Sequence, residues 1–323
     1  MDVQRQVQAL ICLKAFDTLC SRAQRPCRIV PLKGIDLMRF LYADTLDRDL
    51  KDIDLLVLPA DHAQDFIQIL LADGYRAEFP HALDKAVLDN KKKVSMLAPS
   101  ERMPNVDVHL ALVTKRFFSD TINGFNRDAL SRLQPVNEVV SVLDNVDRWL
   151  FLAAHLAFHF LEGDKWYRDL ALLLEHMDGQ EITTLLDRTK QYHLERVVGA
   201  VCMRMQSNYP DVAKRINSTQ LLADQSGKRF IRYMGFIAAH PSRVGHGVRP
   251  ARYYWEFVFI SEPKQQRRAF LSLLLPSIAT IQNLYRCRAI SAVLMYVPHL
   301  LMNMLGVLLF YAQYFIRSSV HDR

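Results

Sequence analysis

A chain of 323 residues, half of them hydrophobic and 23% charged, has the composition of a globular protein with room for two packed domains. Its formal charge of +7 suits a polyanionic ligand or an anionic membrane surface without choosing between them, and no repeat or low-complexity segment interrupts it. Five cysteines, Cys12, Cys20, Cys27, Cys202 and Cys287, form an odd set without metal-ligand spacing, which reads as reduced thiols in a cytosolic protein.

The start, Met1-Asp2-Val3-Gln4-Arg5, leads into a mixed amphipathic helix to about residue 24 rather than into the apolar core of a signal peptide. A short apolar stretch, Arg28-Ile29-Val30-Pro31-Leu32, then meets Lys33-Gly34 and a helical pattern marked by Leu37, Phe40 and Leu41. Gly34 lets the backbone turn and approach a ligand closely. Amide groups at the helix start favour an anion, and Lys33 adds a point charge for a phosphate. An ordinary strand-to-helix turn is the competing reading. Arg48 is a second phosphate candidate, its alternative being a surface ion pair with Asp47 or Asp49.

The next strand carries the chemistry. Asp52-Ile53-Asp54-Leu55-Leu56-Val57 is apolar apart from two aspartates, and strand alternation sends Asp52 and Asp54 out of the same face. Adjacent carboxylates repel, so the pair calls for a divalent ion or a cationic partner. A helix from Pro59-Ala60-Asp61 to about Ala72 closes at Asp73-Gly74. Lys91-Lys92-Lys93 precedes a short strand over 94–97 and reads as a solvated turn or a phosphate-facing patch. After a loop at 99–104, Asn105-Val106-Asp107-Val108-His109 alternates, so Asp107 and His109 share a face. Neighbouring placement of the two strands would cluster Asp52, Asp54 and Asp107. Magnesium favours such hard oxygen ligands, and two ions about 3.5–4 Å apart suit in-line phosphoryl or nucleotidyl displacement.

From about residue 120 the pattern turns helical, with a domain boundary expected near residues 135–146. A helix over 146 to about 161 carries His155 and His159 on one face, without the Glu that a zinc protease uses as its base. Helix packing or a substrate-side contact is the favoured role, and Trp166, Arg168 and Asp169 follow. Two uncharged stretches, 269–285 and 289–316, close the sequence. The second is long enough to span a bilayer and has Arg286, Arg288 and Arg317 at its flanks. Pro298, His299, Asn303 and Gln313 favour helices buried in the protein or lying on a membrane surface over a span.

The order Leu32-Lys33-Gly34, Leu41-Tyr42, Arg48, Asp52-Ile53-Asp54-Leu55-Leu56-Val57, Asp73-Gly74-Tyr75 and Val106-Asp107-Val108-His109 resembles the bacterial family of uncharacterised nucleotidyltransferases in the DNA polymerase β-like superfamily. The likeness covers roughly residues 28 to 112, with a weaker echo through Asp169. It implies a minimal nucleotidyltransferase fold with a mixed sheet; joined to the sequence pattern, the expectation is an α+β chain with a small mixed-sheet nucleotidyltransferase domain over 1–140, a helical domain over 141–260, and apolar C-terminal helices over 261–323. It further implies Asp52, Asp54 and Asp107 as catalytic metal ligands, and Lys33, Gly34, Arg48 and His109 on the nucleotide side. Two Mg2+ ions would be the cofactor and a nucleoside triphosphate the substrate. The acceptor (small molecule, saccharide, peptide or RNA) is left open. The helical domain would pack over the nucleotide cleft, with His159 and Asp169 as acceptor-side candidates. Where many superfamily relatives have a Gly-Gly or Gly-Ser turn, Ile35 and Asp36 follow Gly34 here. That departure keeps two alternatives in view: a triphosphate-binding relative with weak catalysis, and a membrane-surface accessory protein for polysaccharide or peptide biosynthesis. Location is expected to be cytoplasmic, or peripheral at the inner membrane.

Overall fold

Runs of β-branched and aliphatic residues at residues 28–32, 52–58 and 105–109, buried on both faces, and the alternating segment 93–97, which buries only Val94 and Met96, make the strands of a mixed sheet. The computed structural model describes residues 3–23, 27–42, 46–59, 62–78, 93–113, 119–159, 161, 163–217 and 221–222, with scattered positions between 264 and 305. Among these the sheet has five strands: β1 (Arg28–Leu32), β2 (Asp52–Leu58), β3 (Arg76–Ala77), β4 (Lys93–Leu97) and β5 (Asn105–His109), in the order β1-β2-β5-β4-β3. Only β2 and β5 run parallel; the other pairings are antiparallel. Helices α1 (Val3–Arg22), α2 (Lys33–Phe40) and α3 (His62–Ala72) pack on β2, burying Phe16, Leu37, Phe66 and Ile67. This is the α+β fold that the sequence leads one to expect.

Two short strands lie where the sequence pattern reads as wholly helical. After α4 (Ser119–Ser131), β6 (Gln134–Pro135) and β7 (Ser141–Val142) form a hairpin, and Ile29 donates its amide to the Val139 carbonyl at 2.8 Å. Two residues per strand are too few for a periodic signal to emerge. Then follow α5 (Asn145–Phe158), α6 (Asp164–His176), α7 (Gly179–Gln191), α8 (Glu195–Met205) and α9 (Pro210–Ala213).

The chain divides into two compact units. One takes in residues 1–114, 124–153 and 163–186; the other takes in 115–123, 154–162 and 187–323. The unit with the sheet includes α6. In that unit Trp149 is fully buried and donates from its indole nitrogen to the Leu170 carbonyl, tying α5 to α6. Asp36 of α2 is buried as well. Arg148 of α5 meets it with Nε at 2.6 Å and Nη2 at 3.3 Å, while its Nη1 donates to Asn145 at 2.8 Å. In the other unit Gly199 of α8 lets Leu222 approach: a Cβ there would lie 2.6 Å from the Leu222 Cδ1.

Of the C-terminal apolar segments, 269–285 lies outside the described residues except for Leu271. The described positions within 289–316 are helical and expose Leu294, Val297 and Leu301. Among the described residues no helix is long and apolar enough to cross a membrane.

The Asp36–Arg148 pair is buried, so removing one partner strands a charge. Arg148→Met should destabilise the fold by about 3–5 kcal/mol in urea titration, and Asp36→Asn added to it should recover much of that loss.

Candidate functional site

Parallel pairing of β2 with β5 sets Asp54 directly beside Asp107, Asp52 beside Asn105 and Leu56 beside His109. Side chains in register on parallel neighbours leave the same face, so the sheet brings Asp52, Asp54, Asp107 and His109 into one cluster. His109 Nε2 lies 2.8 Å from Asp54 Oδ1, and Lys33 Nζ lies 2.5 Å from the same oxygen and 3.5 Å from the imidazole. Lys93 holds Asp107 Oδ2 through its ammonium group. Asp54, Asp107 and His109 are buried, and one potential ligand atom from each lies within 4.8 Å of the others. Asp52, first in its strand, is exposed at the mouth of the cluster.

The charges define what this site can do. Burial favours the protonated form of Asp54, but the hydrogen bond from His109 and the charge of Lys33 outweigh it, so the carboxyl lies well below the usual range. Burial, with the charges of Lys33 and Lys93, pulls His109 down against the upward pull of Asp54, which leaves the imidazole neutral near pH 7. An ionised carboxylate only accepts, so the Nε2 of His109 carries the proton and donates it to Asp54. In this arrangement His109 orients a carboxylate; to bind an ion through Nε2 it would have to give up that hydrogen bond. Asp52 is pushed up by desolvation and by the charges of Asp54 and Asp107, against the smaller pull of Lys33 and Lys93. Burial lowers Lys93, but the hydrogen bond to Asp107 and the charges of Asp107, Asp54 and Asp52 together raise it further, so it holds its proton more firmly than a free lysine. Three acids thus face two ammonium groups and a neutral imidazole. Hard oxygen donors short of positive charge fit a divalent cation, and Asp54, Asp107 and His109 form the group whose ligand atoms could hold one.

The Lys33-Gly34 turn departs from expectation in how it is built. The residue in the left-handed region is Lys33, with φ +50°, not Gly34. That conformation is unfavourable for a side-chain-bearing residue, and here it belongs to the lysine that reaches Asp54 and His109. Gly34 is required for space: a Cβ would sit 2.6 Å from both Arg48 Nη1 and Leu50 Cδ1.

Arg48, expected beside the phosphates or paired on the surface with Asp47 or Asp49, is buried. Its Nε donates to both oxygens of Asp169 at 3.0 and 3.1 Å, and its Nη2 donates to Oδ2 at 2.8 Å. Its remaining nitrogen, Nη1, donates to the Asp49 carbonyl, and the Tyr42 hydroxyl donates to Asp169 at 2.9 Å. Asp169, an acceptor-side candidate in the sequence, is 1% exposed and anchors α6 to the segment behind the turn. Surface Asp47 instead pairs with Arg168, whose guanidinium also lies over the Tyr42 ring. His155 and His159 have ring centroids 4.5 Å apart and belong to no group of three metal-binding side chains among the described residues. Lys93, read in the sequence only as part of a lysine run before the strand, is the first residue of β4 and a member of the site. The two-residue strand period would have found it, because Lys93 and Ser95 share a face and Ser95 pairs with Asp107.

An α+β unit whose mixed sheet gathers carboxylates into a cation-competent cluster defines the class of protein. A family model described as "Uncharacterised nucleotidyltransferase" matches residues 3–210, and the chain belongs to that family. No curated protein matches the chain.

Two outcomes follow from the packing and charge of the site. Gly34→Ala forces a methyl group against an arginine pinned at all three nitrogens and should cost about 1–3 kcal/mol, read by chemical denaturation. Asp52→Asn removes a carboxylate whose folded-state pKa is raised, so its ionised form subtracts from stability at neutral pH. The variant should raise the ion-free melting temperature at pH 7 by about 1–3 °C, a gain kept small by the exposure of the carboxylate. The gain should vanish as the pH falls below the ordinary aspartate range, where the wild-type group is protonated in both states.

Proposed function

We propose that the protein is a magnesium-dependent nucleotidyltransferase that moves a nucleoside monophosphate from a nucleoside triphosphate to an acceptor hydroxyl or phosphate. The observation that carries this reading is the in-register pairing of Asp54 with Asp107, with Asp52 on the same face, inside the span matched by the family. Asp52, Asp54 and Asp107 would hold two ions. When bound, a divalent ion draws charge from the triphosphate oxygens and lowers the pKa of an attacking hydroxyl. His109 is a positioning residue: its Nε2–H fixes the rotamer of Asp54 and keeps that carboxylate ionised. Lys33 stands on the rim of the same carboxylate, with its ammonium placed to meet phosphate oxygen. Arg48 supports the turn from behind, through Asp169, and so positions Lys33 rather than touching the nucleotide. The 1–140 domain and the helical 141–260 domain remain part of this proposal, with the acceptor side formed by helices after residue 141.

A second reading has specific support. A triphosphate-binding relative with little turnover, working as an accessory protein at a membrane surface in polysaccharide or peptide biosynthesis, is favoured by two observations. The guanidinium expected for the phosphates is committed to Asp169, and Leu294, Val297 and Leu301 are exposed.

Pyrophosphate release with each of the four common nucleoside triphosphates, screened against pooled acceptors in Mg2+, separates the two. The transferase reading expects turnover abolished by Asp54→Asn and Asp107→Asn and lowered about 10–100-fold by His109→Ala. Triphosphate binding without pyrophosphate release across the screen would favour the accessory reading instead.

A further inference from the structure

Two lysines hold the acid cluster, and they hold it differently. Lys33 Nζ lies 2.5 Å from Asp54, with side chains 13% and 6% exposed; the Lys93–Asp107 pair is 42% and 11% exposed. An ion pair open to solvent contributes little and separates easily, whereas separating a buried one strands a charge in a poorly solvated place. Lys93 is also the first residue of β4, set opposite His109 at the sheet's edge of the cluster, and its ammonium sits at the end of a flexible four-carbon stem. Lys33 is hemmed in by Asp54, by His109 and by a left-handed backbone. Of the two, Lys93 is the cation that can leave.

Resting on the nucleotidyltransferase reading above, we propose that Lys93 is an exchangeable counter-ion of the site. It neutralises Asp107 in the ion-free protein, yields that carboxylate to a divalent cation, and turns its ammonium to the triphosphate. The same positive charge then serves the acid and the phosphate in turn, so neither Asp107 nor the nucleotide is left without a partner. Because ion and triphosphate compete for different ends of one exchange, each favours the binding of the other, and by linkage the coupling is reciprocal. Lys33 stays on Asp54 throughout and does not contribute to this coupling.

The experiment uses the full chain, Mn2+ as the ion probe followed by the electron paramagnetic resonance signal of free Mn2+, and inorganic tripolyphosphate as a base-independent phosphate probe. Lys93→Met keeps the stem and removes the charge. It should bind Mn2+ alone about 5-fold more tightly than wild type, because Asp107 no longer has an internal competitor. Tripolyphosphate binding in saturating Mn2+ should weaken about 10-fold, and the effect of each ligand on the affinity for the other should shrink with it. Lys93→Arg retains the charge and should stay within about 2-fold of wild type in Mn2+ affinity. Lys93→Gln, neutral and polar, repeats the test without an apolar tip near the acids, and circular dichroism confirms the fold of each variant. If wild type binds no Mn2+, the nucleotidyltransferase reading and this inference fall together. If wild type binds Mn2+ but both neutral variants bind it no more tightly, the inference alone is overturned. Tighter Mn2+ binding with unchanged tripolyphosphate affinity likewise overturns it, since the ammonium would then never reach the phosphate.

Discussion

The alignment of β2 with β5 is the constraint on which the rest of the site depends. These two strands are the one parallel pair of the sheet among the described residues, and their register places Asp54 beside Asp107. A shift of one residue would turn Asp107 to the opposite face and put Val106 or Val108 beside Asp54. The apolar faces of both strands prevent that slip, because Ile53, Leu55, Val106 and Val108 are all fully buried. Core packing therefore fixes the distance between carboxylates, and the acids need no contact with each other to find their places.

Around this alignment the protein balances charge by proximity. Carboxylates held together at a sheet face would destabilise the fold by mutual repulsion, and Lys33, Lys93 and the proton of His109 offset it. Away from the cluster, buried Asp36 and Asp169 each meet an arginine through two of its nitrogens. Such planar two-point pairing suits permanent structure, because guanidinium matches a carboxylate in geometry as well as charge. Lysine, a single mobile charge, stands where exchange is useful. Arginine in the frame and lysine in the site is a division of labour that the side-chain chemistry explains.

Much of the fold was legible because strand and helix periods were strong where the core is deep. Asp52, Asp54, Asp107 and His109 could be grouped from alternation alone, and one pairing of strands then brought them together. What the sequence hid was long-range and polar. Arg48 and Asp169 lie 121 residues apart, and nothing local marks either as buried; hydropathy reads both as surface. The same holds for Asp36 with Arg148, separated by 112 residues. The Lys33-Gly34 dipeptide announced a tight turn, but not that Lys33 takes the left-handed conformation while Gly34 makes room for Arg48 and Leu50. Hairpin β6–β7 was too short to signal itself, and Lys93 was obscured by the two lysines that precede it.

The span between Arg48 and Asp169 bears on how the chain comes to order during its synthesis. All five strands of the sheet are complete by His109, yet the arginine beneath Gly34 has no carboxylate to receive it until α6 has been made. Through that interval the ribosome has delivered every acid of the cluster but not the brace that steadies its lysine turn. Cation-gripping geometry and turn geometry are thus reached at different times, with the latter waiting on α6 to dock.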